Sequence, residues 1–324
     1  MSLDAYASER HYLDHLLPVW QALRPDERGT LYVTPAVAHS RAALLPDGHA
    51  VGMPTRRGHP VLVASFWDSR RVAPRPTILM EHGIGQTYTR PHGAFAGGPQ
   101  RGNVALFLCP TQRAADLNRA RYPRTPSVVV GIPRLDDQWP RRMPERPTVA
   151  VAFHWDSDFV PETRSALPHY RAALPGLAAD SRWTLLGHGH PRAEKVMRRT
   201  WEWVGAEYEP DFGRVLDRSD ILVCDNSSII YEWAATDRPV VVLDAPWYRR
   251  NVEHGLRFWS HADVGLRVSG PGELADAVGE SIADPARERR RAVVADLFGD
   301  LLDGCAARRA ADAIRETVTV SRGG

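Results

Sequence analysis

The chain has 324 residues, of which 43% are hydrophobic, and a formal net charge of +2 at pH 7. This length supports more than one packed domain, and the near-neutral charge argues against a protein whose main partner is a polyanion. Cys109, Cys224 and Cys305 are far apart in the sequence, which argues against a disulfide framework or a cysteine zinc site. With neither a secretory signal pattern nor an apolar run long enough to span a membrane, the sequence predicts a cytoplasmic protein.

The first half of the sequence alternates predicted helices and strands. Residues 8–24 have apolar and aromatic side chains at helical spacing, which predicts a helix packed on the core or, alternatively, one lying on a membrane surface. Residues 136–147 are rich in proline, arginine and aspartate and are predicted to form a linker. Buried strands are predicted at residues 31–33, 61–64, 77–80, 104–108 and 127–130, with a helix at 113–121.

The second half repeats this alternation, which favours a parallel sheet flanked by helices. The predicted fold is α/β and GT-B-like, with two Rossmann-like doubly wound domains facing across a cleft and a long C-terminal helix. The domains are an acceptor-side domain at residues 1–135, a nucleotide-donor domain at 148–290, and a C-terminal helix and tail at 291–324. Strands are predicted at residues 148–153, 183–186, 221–223 and 240–243, and helices at 163–177, 192–201, 211–216, 229–235, 273–282 and 287–317.

A polar turn follows the predicted strand at residues 221–223. It contains Asp225, Asn226, Ser227 and Ser228, residue types that favour the start of a helix. Backbone N–H groups at a helix start and two serine hydroxyls together form a suitable site for an anion such as phosphate. The alternative is a plain helix cap.

Two further motifs follow strands of the first half. His82 comes directly after the strand at 77–80 and precedes Gly83, so a substrate could lie beside its ring. Histidine is the usual general base near neutral pH, although a structural histidine is the alternative. Arg134 follows the last strand of this half and could bind a phosphate or form a salt bridge.

Strand ends of the second half also carry candidate ligand-binding residues. Trp155 follows the strand at 148–153 and could stack on a nucleotide base, or be a buried tryptophan. Gly187, His188 and His190 follow the strand at 183–186, and one of the two histidines is expected to face the ligand. The Asp156-Ser-Asp158 spacing is one that some glycosyltransferases use to hold Mn²⁺, but a loop cap is the preferred interpretation.

Taken in order, these motifs resemble the CDP-glycerol glycerophosphotransferase family, whose members prime and polymerise teichoic acids. The resemblance extends over residues 75–270 and implies a GT-B fold. Asn226 stands where the family has tyrosine, Glu232 where it has aspartate, and Gly189 where it has leucine. The matching motifs are His82-Gly83, Gly131-Ile132-Pro133-Arg134, Phe153-His154-Trp155, Gly189-His190-Pro191, Cys224-Asp225-Asn226-Ser227-Ser228 and Tyr231-Glu232-Trp233.

The resemblance implies a role for each matched residue. His82 would take the proton from an acceptor hydroxyl, whose oxygen attacks the β-phosphorus of a CDP-linked donor while CMP leaves. His190, Ser227 and Ser228 would hold the pyrophosphate oxygens. Asp225 would fix the turn, and Glu232 would bind ribose hydroxyls. No metal and no other cofactor is implied.

The residues leave two alternatives open. One is a GT-B glycosyltransferase that uses a UDP- or GDP-sugar, which differs in the atom attacked. The other is a non-catalytic nucleotide-sugar-binding protein.

The expected partners are CDP-glycerol or another nucleotide-activated donor, and an acceptor with a hydroxyl: a lipid-linked saccharide, a polymer or a nucleic acid. Peripheral contact with the inner face of the membrane is compatible with the sequence.

Overall fold

Two parallel β-sheets organise the computed structural model, which describes residues 2–82, 84, 101–138, 140–156 and 161–320. The chain divides into two compact units. Unit 1 contains the described residues up to 137 together with those from 297 onwards, and unit 2 contains those from 138 to 296. The prediction of an α/β protein built on two parallel sheets is confirmed.

Unit 1 is built on a seven-stranded sheet whose paired strands all run parallel. Its strands are β1 (Leu3–Ala7), β2 (Arg28–Val33), β3 (Ala50–Val51), β4 (Val61–Val63), β5 (Thr77–Met80), β6 (Val104–Cys109) and β7 (Ser127–Val129). They lie in the order β3-β2-β1-β4-β5-β6-β7.

Helix α1 (Arg10–Ala22) covers part of this sheet with its apolar face. Leu13, Leu16 and Trp20 are buried in the core of unit 1, where α12 (Ala306–Val320) contributes Ala310 and Ile314. The core position predicted for this helix is therefore confirmed, because its apolar face is covered by protein. The other helices of the unit are α2 (Pro35–Ser40), α3 (Phe66–Arg71) and α4 (Gln112–Arg121).

Unit 2 is built on a six-stranded parallel sheet in the order β10-β9-β8-β11-β12-β13. The strands are β8 (Thr148–Phe153), β9 (Thr184–Gly189), β10 (Glu207–Tyr208), β11 (Ile221–Cys224), β12 (Val240–Leu243) and β13 (Leu266–Val268). The helices are α5 (Leu167–Tyr170), α6 (Leu174–Ala179), α7 (Glu194–Val204), α8 (Phe212–Arg218), α9 (Ile229–Ala234), α10 (Leu274–Ser281) and α11 (Arg287–Phe298).

The C-terminal segment differs from the single long helix predicted at residues 287–317. It forms two helices, α11 and α12, because Gly299 and Gly304 between them have positive φ angles of 51° and 72°, which end a right-handed helix. The carboxylate of Asp136 then accepts the backbone N–H groups of Ala306 and Ala307 at 2.9 and 2.8 Å. Asp136, predicted to lie in a linker, thus caps the last helix of unit 1.

Candidate active site

The strand orders place a ligand-binding position in each sheet. In unit 1 the order reverses between β1 and β4, and in unit 2 it reverses between β8 and β11. Ligands of doubly wound sheets bind outside the carboxyl ends of the strands at this switch point, where the loops on either side diverge. The residues expected to contact a ligand are therefore those that follow β1 and β4 in unit 1 and those that follow β8 and β11 in unit 2.

His82 lies at the switch point of unit 1, although it follows β5. Its ring Nδ1 is 2.6 Å from the carbonyl oxygen of Ala64, the residue after β4. A carbonyl oxygen can only accept, so Nδ1 carries the proton and donates it to this bond. In the neutral ring the lone pair is then on Nε2. Since the His82 side chain is exposed, this tautomer is suited to taking a proton from a bound hydroxyl. Gly83, Gly85 and Gln86 lie outside the described residues.

Three aromatic side chains of α1 surround His82. The ring centres of His11, Tyr12 and His15 lie 5.8, 4.9 and 5.9 Å from that of His82. The sequence predicts a core-packed helix at residues 8–24 from its apolar and aromatic positions, of which only Tyr12 belongs to this group, and it gives no signal for strand β1 before that helix. These residues were therefore missed as members of the site.

His15 is held neutral within this group. It is buried, and burial lowers its pKa well below the usual value, with smaller contributions from Arg134, His82 and His11. The electrostatic effect of Arg134 on His15 places this arginine with the histidines of unit 1. The predicted phosphate residues Asp225 to Ser228 belong instead to unit 2.

The polar turn after β11 is fixed by Asp225. Its buried carboxylate accepts the backbone N–H of His154 at 2.9 Å and that of Ala166 at 3.0 Å. These bonds tie the ends of β8 and of the segment before α5 to the turn. Burial raises the pKa of Asp225 to about 7, although the backbone N–H groups lower it. The carboxylate thus faces the protein and supports the turn.

Asn226 is also a supporting residue. Its buried side-chain amide donates to the carbonyl oxygens of Glu162 and, at 3.4 Å, of Arg164. The fully buried carboxylate of Glu162 in turn accepts from Arg249, whose Nη2 lies 2.9 Å away, and the Tyr248 hydroxyl donates to the carbonyl of Arg164 at 2.6 Å. Because its donors point into this network, Asn226 positions the turn instead of offering its amide to a phosphate.

The two serines of the turn differ in their surroundings. Ser227 is buried, whereas Ser228 is half-buried at the start of α9 and makes no capping hydrogen bond to that helix. The Ser228 hydroxyl is thus not used as the plain helix cap considered from the sequence. In the same helix Glu232 is fully buried, so contact with a ribose would require movement of the residues around it.

His190 lies with aromatic and basic side chains at the end of β9. Its Nδ1 accepts the backbone N–H of Arg192 at 3.2 Å, so in the neutral ring the proton is on Nε2, which can donate to an anion. The His190 ring lies 5.0 Å from His154 and 6.2 Å from Trp155, and the Arg192 guanidinium is 5.3 Å from the Trp155 ring centre. Since the His154 N–H binds Asp225, this group and the polar turn belong to one site.

His154 is a member of this group that the predicted site residues omit. Its Nδ1 donates to the carbonyl oxygen of Trp155 at 3.0 Å. Burial lowers its pKa to about 4, so the ring is neutral at physiological pH. Its position after β8, the strand at the switch point, was the sequence signal that could have indicated it.

Gly187 and His188 have structural partners. A Cβ on Gly187 would lie 2.3 Å from the Trp201 ring, so the glycine allows β9 and α7 to pack closely. The buried ring of His188 donates through Nδ1 to the Glu209 carbonyl at 2.7 Å, and its own carbonyl accepts the Trp201 indole N–H at 3.1 Å. Both residues therefore have packing and hydrogen-bonding roles within unit 2 and lie outside the proposed ligand site.

The described residues contain neither a cluster arranged to bind a metal ion nor a helix able to span a membrane. No group of three or more His, Cys, Asp or Glu side chains among them is arranged to hold a metal ion. Asp156 is described, but Ser157 and Asp158 are not, so the Mn²⁺ pattern lies partly outside the described residues. Within the described helices, none combines the length and apolar composition needed to cross a membrane.

Comparison with known proteins identifies a family for the C-terminal part of the chain. Residues 165–316 match the family described as CDP-Glycerol:Poly(glycerophosphate) glycerophosphotransferase. For residues 165–316 the match confirms the family, and with it the type of transferase, that the motifs predict. No curated protein matches the chain.

Solved structures share the fold at low sequence identity. The wall teichoic acid polymerase TagF aligns with a TM-score of 0.67 and 12% identity over 99% of this chain and 90% of that chain. The S. aureus MnaA–UDP structure gives a TM-score of 0.60 and 16% identity over 98% and 97%. A putative UDP-N-acetylglucosamine 2-epimerase from Listeria monocytogenes gives 0.60 and 14% over 98% and 96%. These matches confirm the predicted GT-B-like fold class.

Proposed function

We propose that this glycerophosphotransferase-like protein moves a glycerol-phosphate, or a related polyol-phosphate, from a CDP-activated donor to an acceptor hydroxyl. The observation that carries the proposal is that the Nδ1 atoms of two histidines have different backbone partners, a carbonyl oxygen for His82 and an N–H group for His190. His82 has the lone pair on Nε2 because Nδ1 donates to the Ala64 carbonyl. His190 has the proton on Nε2 because Nδ1 accepts the Arg192 N–H. One ring can accept a proton and the other can donate a hydrogen bond.

The reaction uses both properties. The acceptor oxygen attacks the phosphorus that carries the polyol, and the hydroxyl proton passes to Nε2 of His82. The bond between this phosphorus and the bridging oxygen breaks, and CMP leaves with the electron pair. His190 Nε2–H and the Ser228 hydroxyl donate to the phosphate oxygens, where they stabilise the charge that develops during transfer.

Donor binding is assigned to unit 2. The Trp155 ring, flanked by Arg192, offers a surface for stacking of the cytosine base. Asp225 and Asn226 hold the turn that presents Ser227 and Ser228, so they act on the donor indirectly. In support of a CDP-linked donor, a TagF variant with a similar fold was soaked with CDPG.

The acceptor is assigned to unit 1, beside His82 and the aromatic residues of α1. Its reacting group is a hydroxyl, since only a group with a removable proton uses the base that His82 provides. A lipid-linked saccharide or a growing polymer fits this requirement, and we propose that the reaction occurs at the cytoplasmic face of the membrane.

Thermal unfolding in the presence of nucleotides tests the donor. We expect CDP-glycerol and CMP to stabilise the protein, whereas UDP, UDP-glucose and GDP-mannose should not. A ligand at about 100 times its Kd adds about 2.7 kcal/mol to the free energy of unfolding. The Ser228→Ala variant should need about 10- to 150-fold more CDP-glycerol for the same shift, since a lost hydrogen bond to a charged oxygen costs about 1.5–3 kcal/mol.

CMP release then tests the reaction. Wild-type protein should release CMP from CDP-glycerol only when an acceptor with a hydroxyl is present. Stabilisation by a UDP- or GDP-sugar alone would contradict the proposed donor. The protein could instead be stabilised by CMP but transfer no glycerol-phosphate to either a glycerol-phosphate polymer or a lipid-linked saccharide. That result would contradict the proposed catalysis.

A further inference from the structure

Helix α7 exposes an apolar and basic face to solvent. Val196 and Trp203, seven residues apart, are 55% and 53% exposed, and Arg199 lies between them on the same side of the helix. Tryptophan usually has most of its surface buried. Two large apolar side chains on one helical face therefore form a surface that the fold itself does not use.

The opposite face of α7 already anchors the helix. Met197 and Trp201 are buried in the core of unit 2. The exposed residues Val196, Arg199 and Trp203 consequently contribute little to folding, and their presence calls for another explanation.

Positive charge surrounds the exposed apolar side chains. The Arg171 guanidinium lies 5.0 Å from the Trp203 ring centre, and Lys195 and Arg199 are exposed on α7. Helix α7 has two acidic residues, Glu194 and Glu202. Glu194 forms an ion pair with Arg198 at 2.9 Å. The whole protein has a net charge of only +2, so this positive charge is local.

We propose that this face, defined by Arg171, Lys195, Val196, Arg199 and Trp203, docks on an anionic membrane surface. Tryptophan partitions into the headgroup region of a bilayer, and arginine and lysine are attracted to anionic lipid headgroups. A second copy of the chain is a poorer occupant, because two basic faces would repel each other. The apolar face of α1, the alternative considered from the sequence, is buried in unit 1.

Co-sedimentation with lipid vesicles tests this assignment without substrate, so it does not depend on the proposed activity. The full chain should bind vesicles of phosphatidylglycerol and phosphatidylcholine in equal parts, and bind pure phosphatidylcholine much less. Raising the salt concentration should weaken the binding. Trp203→Glu should weaken it about tenfold, and Arg199→Gln about fivefold, as expected for one basic residue near an anionic surface.

Trp67 provides a matched control. It is 55% exposed on α3 of unit 1, and the Arg70 guanidinium lies 5.7 Å from its ring centre. Trp67→Glu should bind vesicles like the wild type. The thermal unfolding temperature of each variant, and its shift with CDP-glycerol, show that the fold and the donor site are intact.

Three outcomes would overturn the proposal. Trp203→Glu could bind the anionic vesicles as tightly as wild type, or both tryptophan variants could lose binding equally. Sedimentation velocity could also show that Trp203→Glu abolishes self-association while vesicle binding persists. A chain that binds vesicles as expected but shows no shift with CDP-glycerol would contradict the proposed function and leave the membrane face supported.

Discussion

The two units place a histidine at corresponding edges of similar sheets and give it opposite chemistry. Both sheets reverse their strand order at a switch point, and His82 and His190 follow strands close to it. In unit 1 a backbone carbonyl accepts from Nδ1, and in unit 2 a backbone N–H donates to Nδ1. The backbone partner, more than the residue type, therefore decides whether a neutral histidine serves as base or as donor.

Substitution of His82 should have the largest effect. Both His82→Ala and His82→Gln should lower turnover by about 10²–10⁴, because neither side chain can take up the acceptor proton. The Kd for CDP-glycerol, measured by the thermal shift, should change little, since this residue belongs to unit 1. Wild-type turnover in either variant would remove His82 from the mechanism.

His190 should respond differently to the same two substitutions. Glutamine places an amide N–H near the position of the histidine Nε2–H, so His190→Gln should keep most of the turnover. His190→Ala should lose about 10², as expected when one donor to a developing negative charge is removed. If the glutamine variant is as inactive as the alanine variant, then His190 acts as more than a hydrogen-bond donor.

Gly187→Ala tests the conclusion that this part of β9 packs and does not bind. Its Cβ would meet the rigid Trp201 ring at 2.3 Å, and overpacking of this kind costs about 1–3 kcal/mol of unfolding free energy. Gly189→Ala is the matched control, because its Cβ would meet the flexible Met197 side chain at 2.5 Å. Denaturant unfolding should show the larger loss for Gly187→Ala, while the Kd for CDP-glycerol of the folded protein stays close to wild type.

The pH dependence of stability should reveal the buried carboxyl of unit 2. The folded state keeps the Asp225 proton up to a pH of about 7, whereas an unfolded aspartate loses it near about pH 4. The contribution of this group to the free energy of unfolding therefore decreases as the pH rises between those values. Asp225→Asn should remove this contribution, so the wild type should lose stability relative to the variant as the pH increases.

His154 does not obscure this comparison. Its pKa is lowered to about 4, so its contribution has the opposite slope, increasing as the pH rises from that value. Both proteins contain this histidine, and the difference between their unfolding free energies at each pH cancels it. If the difference in unfolding free energy between the wild type and Asp225→Asn stays constant between about pH 4 and 7, then Asp225 is ionised in the folded state throughout that range.

Local sequence was enough to predict the features formed by neighbouring residues. The strands at residues 77–80, 148–153 and 240–243 are apolar runs bounded by turn signals, and the structure has β5, β8 and β12 at those residues. The turn at Asp225 to Ser228 could be predicted because its residue types favour a helix start. The order of the motifs was also sufficient to indicate the family.

Strand β1 could not be predicted from its own residues. Its sequence, Leu-Asp-Ala-Tyr-Ala, contains an aspartate and two alanines, yet it lies at the switch point of the sheet. Asp4 is stabilised there by Arg75, whose Nη2 lies 2.5 Å from the carboxylate. Because Asp4 and Arg75 are 71 residues apart, the periodicity of neighbouring residues does not reveal their pairing. The sequence analysis therefore predicts neither β1 nor the position of α1 directly after it.

The two parallel-sheet folds, the strand-end motifs and the family could thus be predicted without a structure, because each depends on residues close together in the chain. Only the tertiary structure placed His11, Tyr12 and His15 around His82, and joined the last helix to unit 1 through Asp136. It alone also assigned opposite tautomers to His82 and His190. These features depend on contacts between segments that are distant in the sequence. The Ala64 carbonyl oxygen that fixes the tautomer of His82 is an example, because every residue has a carbonyl group and the sequence does not show which one lies beside the ring.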